Sequence, residues 1–259
     1  MTANLAGDVT MRYVDLRPDE PGEAVPVLLL HGFGTTFDMN WRATGWAQAL
    51  AGAGRRVLGP DLRGHGASGK PADSGSYLPE HYVADLVAML DELGVERVDA
   101  VGYSMGARLA WELALRHPGR VRSLVLGGFG PGDAFAGTDL SDPGSGDTPF
   151  DHVFRTVAAL PGNDADALAA CARGQASRPF RADPLPVGVP VLLVSGARDT
   201  LAAGAEDLAS RCGGRHVGIP GRDHANAVSS RVFRQAVVEF LDERSREDGG
   251  AAAPLVGPV

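Results

Sequence analysis

Several features that would mark large classes of protein are scarce or missing. Two cysteines, Cys171 and Cys212, stand in 259 residues, with no C-x-x-C pair and no zinc-like spacing to a histidine. That excludes a disulfide framework and leaves two free thiols suited to a reducing compartment. No apolar run approaches the ~18 residues of a membrane span, and residues 1–8 lack the basic start and apolar stretch of a signal peptide. The expectation is a cytoplasmic protein with no membrane span. Lys and Arg number 24 against 32 Asp and Glu, a net charge of −8, and no long basic cluster offers the footprint of a nucleic-acid binder. No histidine and carboxylate cluster calls for a metal, and no cofactor is expected. What is plentiful is glycine at 35 and proline at 18, below the level that signals disorder. The glycines therefore need positional explanations.

Short Val- and Leu-rich runs alternate with helix-period segments, the pattern of βαβ units and a mainly parallel sheet covered on both faces. Val9 to Leu16 alternates as an early antiparallel strand. Further strands are predicted over Val25–Leu30, Arg56–Leu58, Val98–Gly102, Ser123–Gly127, Val191–Ser195 and Arg215–Ile219. Between them the apolar stripe of Tyr82 to Leu93 predicts a helix stopped by Gly94. Met105 to His117 predicts another, ending before Pro118. The last, with Val232, Phe233, Ala236, Val237, Phe240 and Leu241 on one face, has Ser229 or Ser230 as N-cap. Residues 129–189 are far too long for an ordinary connection. They read as a short cap over one end of the sheet, with helical patterns around Phe150–Leu160 and Ala165–Cys171. Gly130, Pro131, Gly132, Pro143 and Gly144 gather there and suggest an irregular lid. Residues 1–128 and 190–246 form the two parts of the core, and 247–259 a mobile tail.

Gly102-Tyr103-Ser104-Met105-Gly106 fits G-x-S-x-G. In that elbow a strand turns sharply into a helix, and glycines at both ±2 positions relieve the crowding around a strained serine. The pattern alone is weak in so glycine-rich a chain; its position between a predicted strand and a predicted helix strengthens it. A serine hydroxyl needs a base, and the base needs a carboxylate to fix its tautomer. His81 and His117 fall on surface helices, His152 in the cap and His216 in a strand, whereas His224 lies in the loop after the strand ending at Ile219. Asp199, in the loop after Val191–Ser195, is the matching acid, with Asp133 its rival; Asp223 adjoins the histidine and reads as a surface charge. The order Ser104, Asp199, His224 completes a candidate triad. For an oxyanion, Met105 supplies one backbone N–H and Phe33, in His31-Gly32-Phe33-Gly34, the other. His31 reads as structural.

On these motifs, together with Asp61-Leu62-Arg63-Gly64-His65-Gly66-Ala67-Ser68, the chain resembles the α/β-hydrolase superfamily, in its serine-nucleophile esterase and lactonase-like branch, from Val9 to Arg244. The resemblance implies an α/β-hydrolase fold, a mostly parallel doubly wound sheet of about seven to eight strands with a short cap insertion. It also implies that Asp61, Arg63 and His65 buttress the floor of the site. Relatives that open epoxides or dehalogenate carry an aspartate where Ser104 stands, so those activities are disfavoured. The leading expectation is a serine hydrolase of small to medium carboxylic esters or lactones, acting through an acyl-enzyme, with Phe129, Phe154 and Phe180 as candidates to line the substrate pocket. The alternatives are a carbon–carbon bond hydrolase of a diketone-like metabolite with the same triad, and a non-catalytic ligand-binding protein of the same fold. The expected partner is a small-molecule ester or lactone; the oligomeric state is not legible.

Overall fold

A computed structural model describes residues 1–4, 9–18 and 24–251. Eight strands, β1 (Thr2–Asn4), β2 (Thr10–Leu16), β3 (Val27–Leu30), β4 (Val57–Pro60), β5 (Val98–Tyr103), β6 (Val121–Gly127), β7 (Val191–Gly196) and β8 (Arg215–Ile219), lie in the order β1-β2-β4-β3-β5-β6-β7-β8. Pairing is antiparallel only for β1–β2 and β2–β4 and parallel from β4 to β8. The chain leaves β3 toward β4 on one side and returns to β5 on the other. Their carboxyl ends therefore flank a topological switch point, where open α/β sheets form their crevices.

Both faces of the central strands β3 to β7 are dry, and alternation assigns each side chain to one of them. Leu28, Leu30, Ala100, Leu124, Leu126 and Leu193 join one buried cluster. Val27, Leu29, Val101, Val125, Leu192 and Val194 join the other. The helices α1 (Trp46–Gly52), α2 (Pro79–Glu92), α3 (Met105–Arg116), α4 (Pro149–Ala158), α5 (Ala165–Ala176), α6 (Ala205–Arg211) and α7 (Arg231–Ala251) complete the layers. On the second face Trp46 of α1 meets Phe233 of α7 edge-on, ring centroids 4.8 Å apart, and its Nε1 donates to the Val228 carbonyl at 2.7 Å. That bond satisfies the polar atom such a burial brings with it.

The predicted strands and the three predicted core helices are present, with ends shifted by a few residues. Ser230 Oγ accepts from the Val232 amide at the start of α7. Strand β1 and helices α1 and α6 were not anticipated; each of the two helices is seven residues long and follows a left-handed glycine, Gly45 or Gly204, instead of a side-chain cap. The stretch between β6 and β7 is more helical than its glycines and prolines suggest. Thr148 and Asp151 form a capping box on α4, and Asp164 caps α5. Irregular backbone is concentrated before α4. Helix α7 continues to Ala251, so the first residues assigned to the tail belong to it, and 252–259 lie outside the described residues. Among the described residues no helix is long and apolar enough to cross a membrane.

Candidate active site

Ser104 sits between β5 and α3 at φ 52 and ψ −116, the single non-glycine positive φ among the described residues. Such strain persists only where the surroundings impose it. Here the Ser104 amide donates to the Gly127 carbonyl of β6 at 2.8 Å. A Cβ on Gly102 would overlap the Gly106 carbonyl, and one on Gly106 would overlap that of Leu30. Both glycines are thus required by the packing of β5, α3 and β3 around the serine.

Two further loops converge on it. His224 Nε2 lies 3.0 Å from Ser104 Oγ, and its Nδ1 lies 2.9 and 3.0 Å from the two oxygens of Asp199. The Asp199 side chain is fully buried, and its Oδ1 also accepts from the Leu201 and Ala202 amides at 3.1 Å each. With the carboxylate on Nδ1, the tautomer that presents a bare Nε2 to the serine is favoured. The histidine loop is fixed from both sides. Asp223 Oδ1 accepts from the Ala225 and Asn226 amides, Asn226 Oδ1 accepts from the Asp223 amide, and Tyr103 Oη donates to the His224 carbonyl. Asp223, read from sequence as a surface charge, therefore shapes the turn. Asp133 is exposed, and its Oδ1 accepts from the Phe135 amide; it is not brought to the histidine.

The amides of Phe33 and Met105 have no acceptor among the described residues. Beside them, Asn40 Oδ1 accepts from the Gly32 amide at 3.0 Å and from Thr35 Oγ1 at 2.9 Å. His31 is fully buried: Nδ1 donates to the Gly32 carbonyl and Nε2 accepts from the Leu62 amide, each at 2.9 Å. Burial holds it neutral, lowering its pKa to about 4. Neighbouring His65, its Nδ1 on the Arg63 carbonyl, is pushed to about 3 by burial and by His31. Asp61 accepts from the Phe37 and Ala67 amides, and Arg63 forms a two-pronged pair with Asp85 at 2.7 and 2.9 Å. These side chains tie the two loops under the serine together.

Two cavities open from Ser104 and share Phe33, Val153, Leu201 and His224 in their walls. The inner one, about 80 Å³, adds Met105, Arg108, Phe129, Phe135, Phe150 and Phe180. The outer one, about 500 Å³, adds Asn40, Tyr103, His152, Val157 and Arg198. Of the three phenylalanines expected to line a pocket, Phe129 and Phe180 do, with ring centroids 4.8 Å apart. Phe154 does not line either cavity; it packs behind Phe33 and Phe150 at 6.2 and 6.3 Å. Sequence reasoning passed over Phe150, four residues earlier on the same helix face, and Arg108, one helical turn beyond Ser104. An activated hydroxyl, an oriented imidazole and two free amides around an apolar crevice can carry acyl transfer.

A family model described as the alpha/beta hydrolase fold matches residues 25–161. An epoxide hydrolase of Caballeronia sordidicola is 36% identical over 129 residues, covering 48% of this chain and 38% of that protein. The 2-hydroxymuconate semialdehyde hydrolase of Pseudomonas putida is 43% identical over 109 residues, covering 42% of this chain and 38% of that protein. The chain thus matches little more than a third of the length of these curated relatives. The enol-lactonase crystal structure from Burkholderia xenovorans LB400 superposes with a TM-score of 0.77 at 25% identity, over 93% of this chain and 100% of that one.

Proposed function

The chain belongs to the alpha/beta hydrolase fold family, and within that family we propose that it is a serine hydrolase of small to medium carboxylic esters or lactones. The observation that carries the reading is the hydrogen-bonded line from Asp199 through His224 to Ser104, ending beside two amides that have no acceptor among the described residues. Ser104 Oγ attacks the substrate carbonyl carbon and its proton passes to His224 Nε2. The oxyanion of the tetrahedral adduct accepts from the Phe33 and Met105 amides. Collapse breaks the ester bond, and the imidazolium, stabilised by Asp199, protonates the departing alcohol. Water, deprotonated by the same histidine, attacks the acyl-serine, releasing the acid and returning the proton to Ser104. Each step uses groups of this chain.

A second reading, hydrolysis of a carbon–carbon bond in a diketone-like substrate, is favoured by the likeness to the Pseudomonas putida semialdehyde hydrolase. Epoxide opening is not favoured, because Ser104 stands where epoxide-opening members of the superfamily carry an aspartate nucleophile. A fluorophosphonate probe is expected to label wild-type protein at Ser104 and to leave Ser104→Ala and His224→Ala unlabelled. Turnover of simple aryl esters with a burst of the alcohol product supports the ester reading. Folded wild-type protein that takes no label would sink both enzyme readings.

A further inference from the structure

Four arginines are buried among the described residues: Arg55, Arg63, Arg108 and Arg122. Three have carboxylates, Arg55 with Asp242, Arg63 with Asp85 and Arg122 with Asp99. Arg108, 7% exposed, has none within 4 Å among the described residues. Its two Nη groups donate to the backbone carbonyls of Gln175 and Arg178, and its Nε has no acceptor. Gln175 Oε1, on the same cavity wall, is also unpartnered. A neutral carbonyl or amide can accept a hydrogen bond but brings no charge, and the carboxylates that act on this cation, Glu112, Asp133 and Glu80, do so without forming an ion pair with it. Burial without a carboxylate in contact is costly for a guanidinium that stays ionised, and burial outweighs those more distant charges and lowers the pKa of this group.

Position gives the unpaired charge a use. Arg108 follows Ser104 by four residues at the start of α3, about 6 Å along the helix axis, and lines the inner cavity with Ser104 and Met105. Asp133 lines the same cavity from its exposed side without coming within 4 Å of the guanidinium. The outer cavity is larger, which suits the alcohol that must leave first; the smaller inner one suits the group that stays on the serine.

We propose that Arg108 makes the inner cavity a carboxylate site, so that the preferred substrates are esters or lactones whose short acyl part carries a carboxylate. An inner volume of about 80 Å³, against roughly 300–1,000 Å³ for pockets that hold whole drug-sized ligands, limits that acyl part to a few carbons. The substrate carboxylate accepts from the guanidinium and supplies a counter-charge in direct contact with it. This inference rests on the ester and lactone reading for its catalytic consequence, but the binding site stands on Arg108 itself.

The test compares monomethyl succinate and monomethyl glutarate with the neutral methyl butyrate and methyl pentanoate, following acid release by the full chain. We expect kcat/KM to favour the half-esters, and Arg108→Met to lower that ratio roughly 30-fold or more, the size seen when one partner of a buried charge pair is lost. Because Arg108 also holds two carbonyls, a binding arm keeps the test open if that variant folds poorly. The Ser104→Ala chain, titrated calorimetrically, should bind monomethyl glutarate more tightly than dimethyl glutarate, and Arg108→Lys should keep part of the difference. Equal handling of charged and neutral esters, or a preference that survives Arg108→Met, overturns the inference while Ser104-dependent turnover leaves the hydrolase reading intact. Inert esters with selective binding of the half-ester would do the reverse.

Discussion

The loops beneath Ser104 are largely buried while much of the insertion above it is exposed, and the two are held by different forces. The floor, residues 31–40 and 61–68, is stitched by directional bonds from backbone to side chain. Asp61 takes two amides, His31 takes the Leu62 amide, and Asn40 takes that of Gly32. The cover meets the core through rings, Phe33 on Phe150 at 5.2 Å and Phe129 on Phe180 at 4.8 Å, with its polar ties set apart from the reacting atoms, such as Gln175 Nε2 donating to the Tyr77 carbonyl and Arg108 to those of Gln175 and Arg178. Directional bonds fix atoms to tenths of an ångström, which acyl transfer needs. Burial of rings is tolerant of shape and can be retuned for a different substrate. Substitutions in the floor should therefore cost rate or acid stability, and those in the cover should cost selectivity.

The sharpest break between the two regions is expected from two aspartates. Asp199→Asn takes the carboxylate from His224 Nδ1 and favours the wrong tautomer, so kcat should fall by about 10⁴-fold with little change in fold. Asp133→Asn, on the cover side of the crevice, should change kcat by no more than about two-fold, the size expected for an exposed group away from the reacting atoms. Steady-state kinetics on one aryl ester decides it. The opposite pattern would move the acid to Asp133.

A smaller effect should appear in stability against pH. His31 and His65 are held neutral by burial at about 4 and about 3, below the ordinary value of 6.5. Between 6.5 and those values the unfolded chain binds protons that the folded one refuses. Stability is therefore complete above about pH 6.5 and is lost as the pH falls toward 4. The His31 gap alone corresponds to about 3 kcal/mol. Urea unfolding at pH 7.5, 6 and 5 should show the decline, and His65→Phe should flatten it. Phe150→Ala, a truncation in the cover, should lower the whole curve and leave its slope unchanged.

The same division explains what could be read from sequence. Strands buried on both faces must be apolar throughout, so Val98–Tyr103 and Val191–Gly196 were legible. The elbow was legible because close backbone packing leaves no alternative to Gly102 and Gly106. Ser104, Asp199 and His224 followed from where strand ends must point. The cover resisted, because a ring that lines a cavity and one that packs behind it have the same hydropathy. Phe150 and Phe154 lie on one face of α4, and only the tertiary packing separates them. Arg108 was invisible for a related reason. A charge on a helix reads as a solvated face until the helix is found to be covered by α5 and the segment after it.

Two asparagines give the comparison its finest test. Asn40 holds the Gly32 amide, one residue before the proposed donor Phe33. Asn163 joins cover to floor, its Nδ2 donating to the Gly34 carbonyl at 2.7 Å and to the Val157 carbonyl at 2.8 Å. Asn40→Ala frees a buried amide and lets the donor drift, and a misplacement of about 1 Å costs on the order of 10²-fold in kcat. Asn163→Ala should cost only about 1 kcal/mol of stability, the net worth of an ordinary hydrogen bond. Its kcat should stay within about two-fold of wild type, because Asn40 and His31 still hold the floor. What moves is KM, most for acyl chains long enough to press on α4. Measuring kcat and KM separately for a short and a long acyl ester reads both variants at once. If Asn163→Ala lowers kcat as Asn40→Ala does, the cover is part of the catalytic frame and the division between the regions fails.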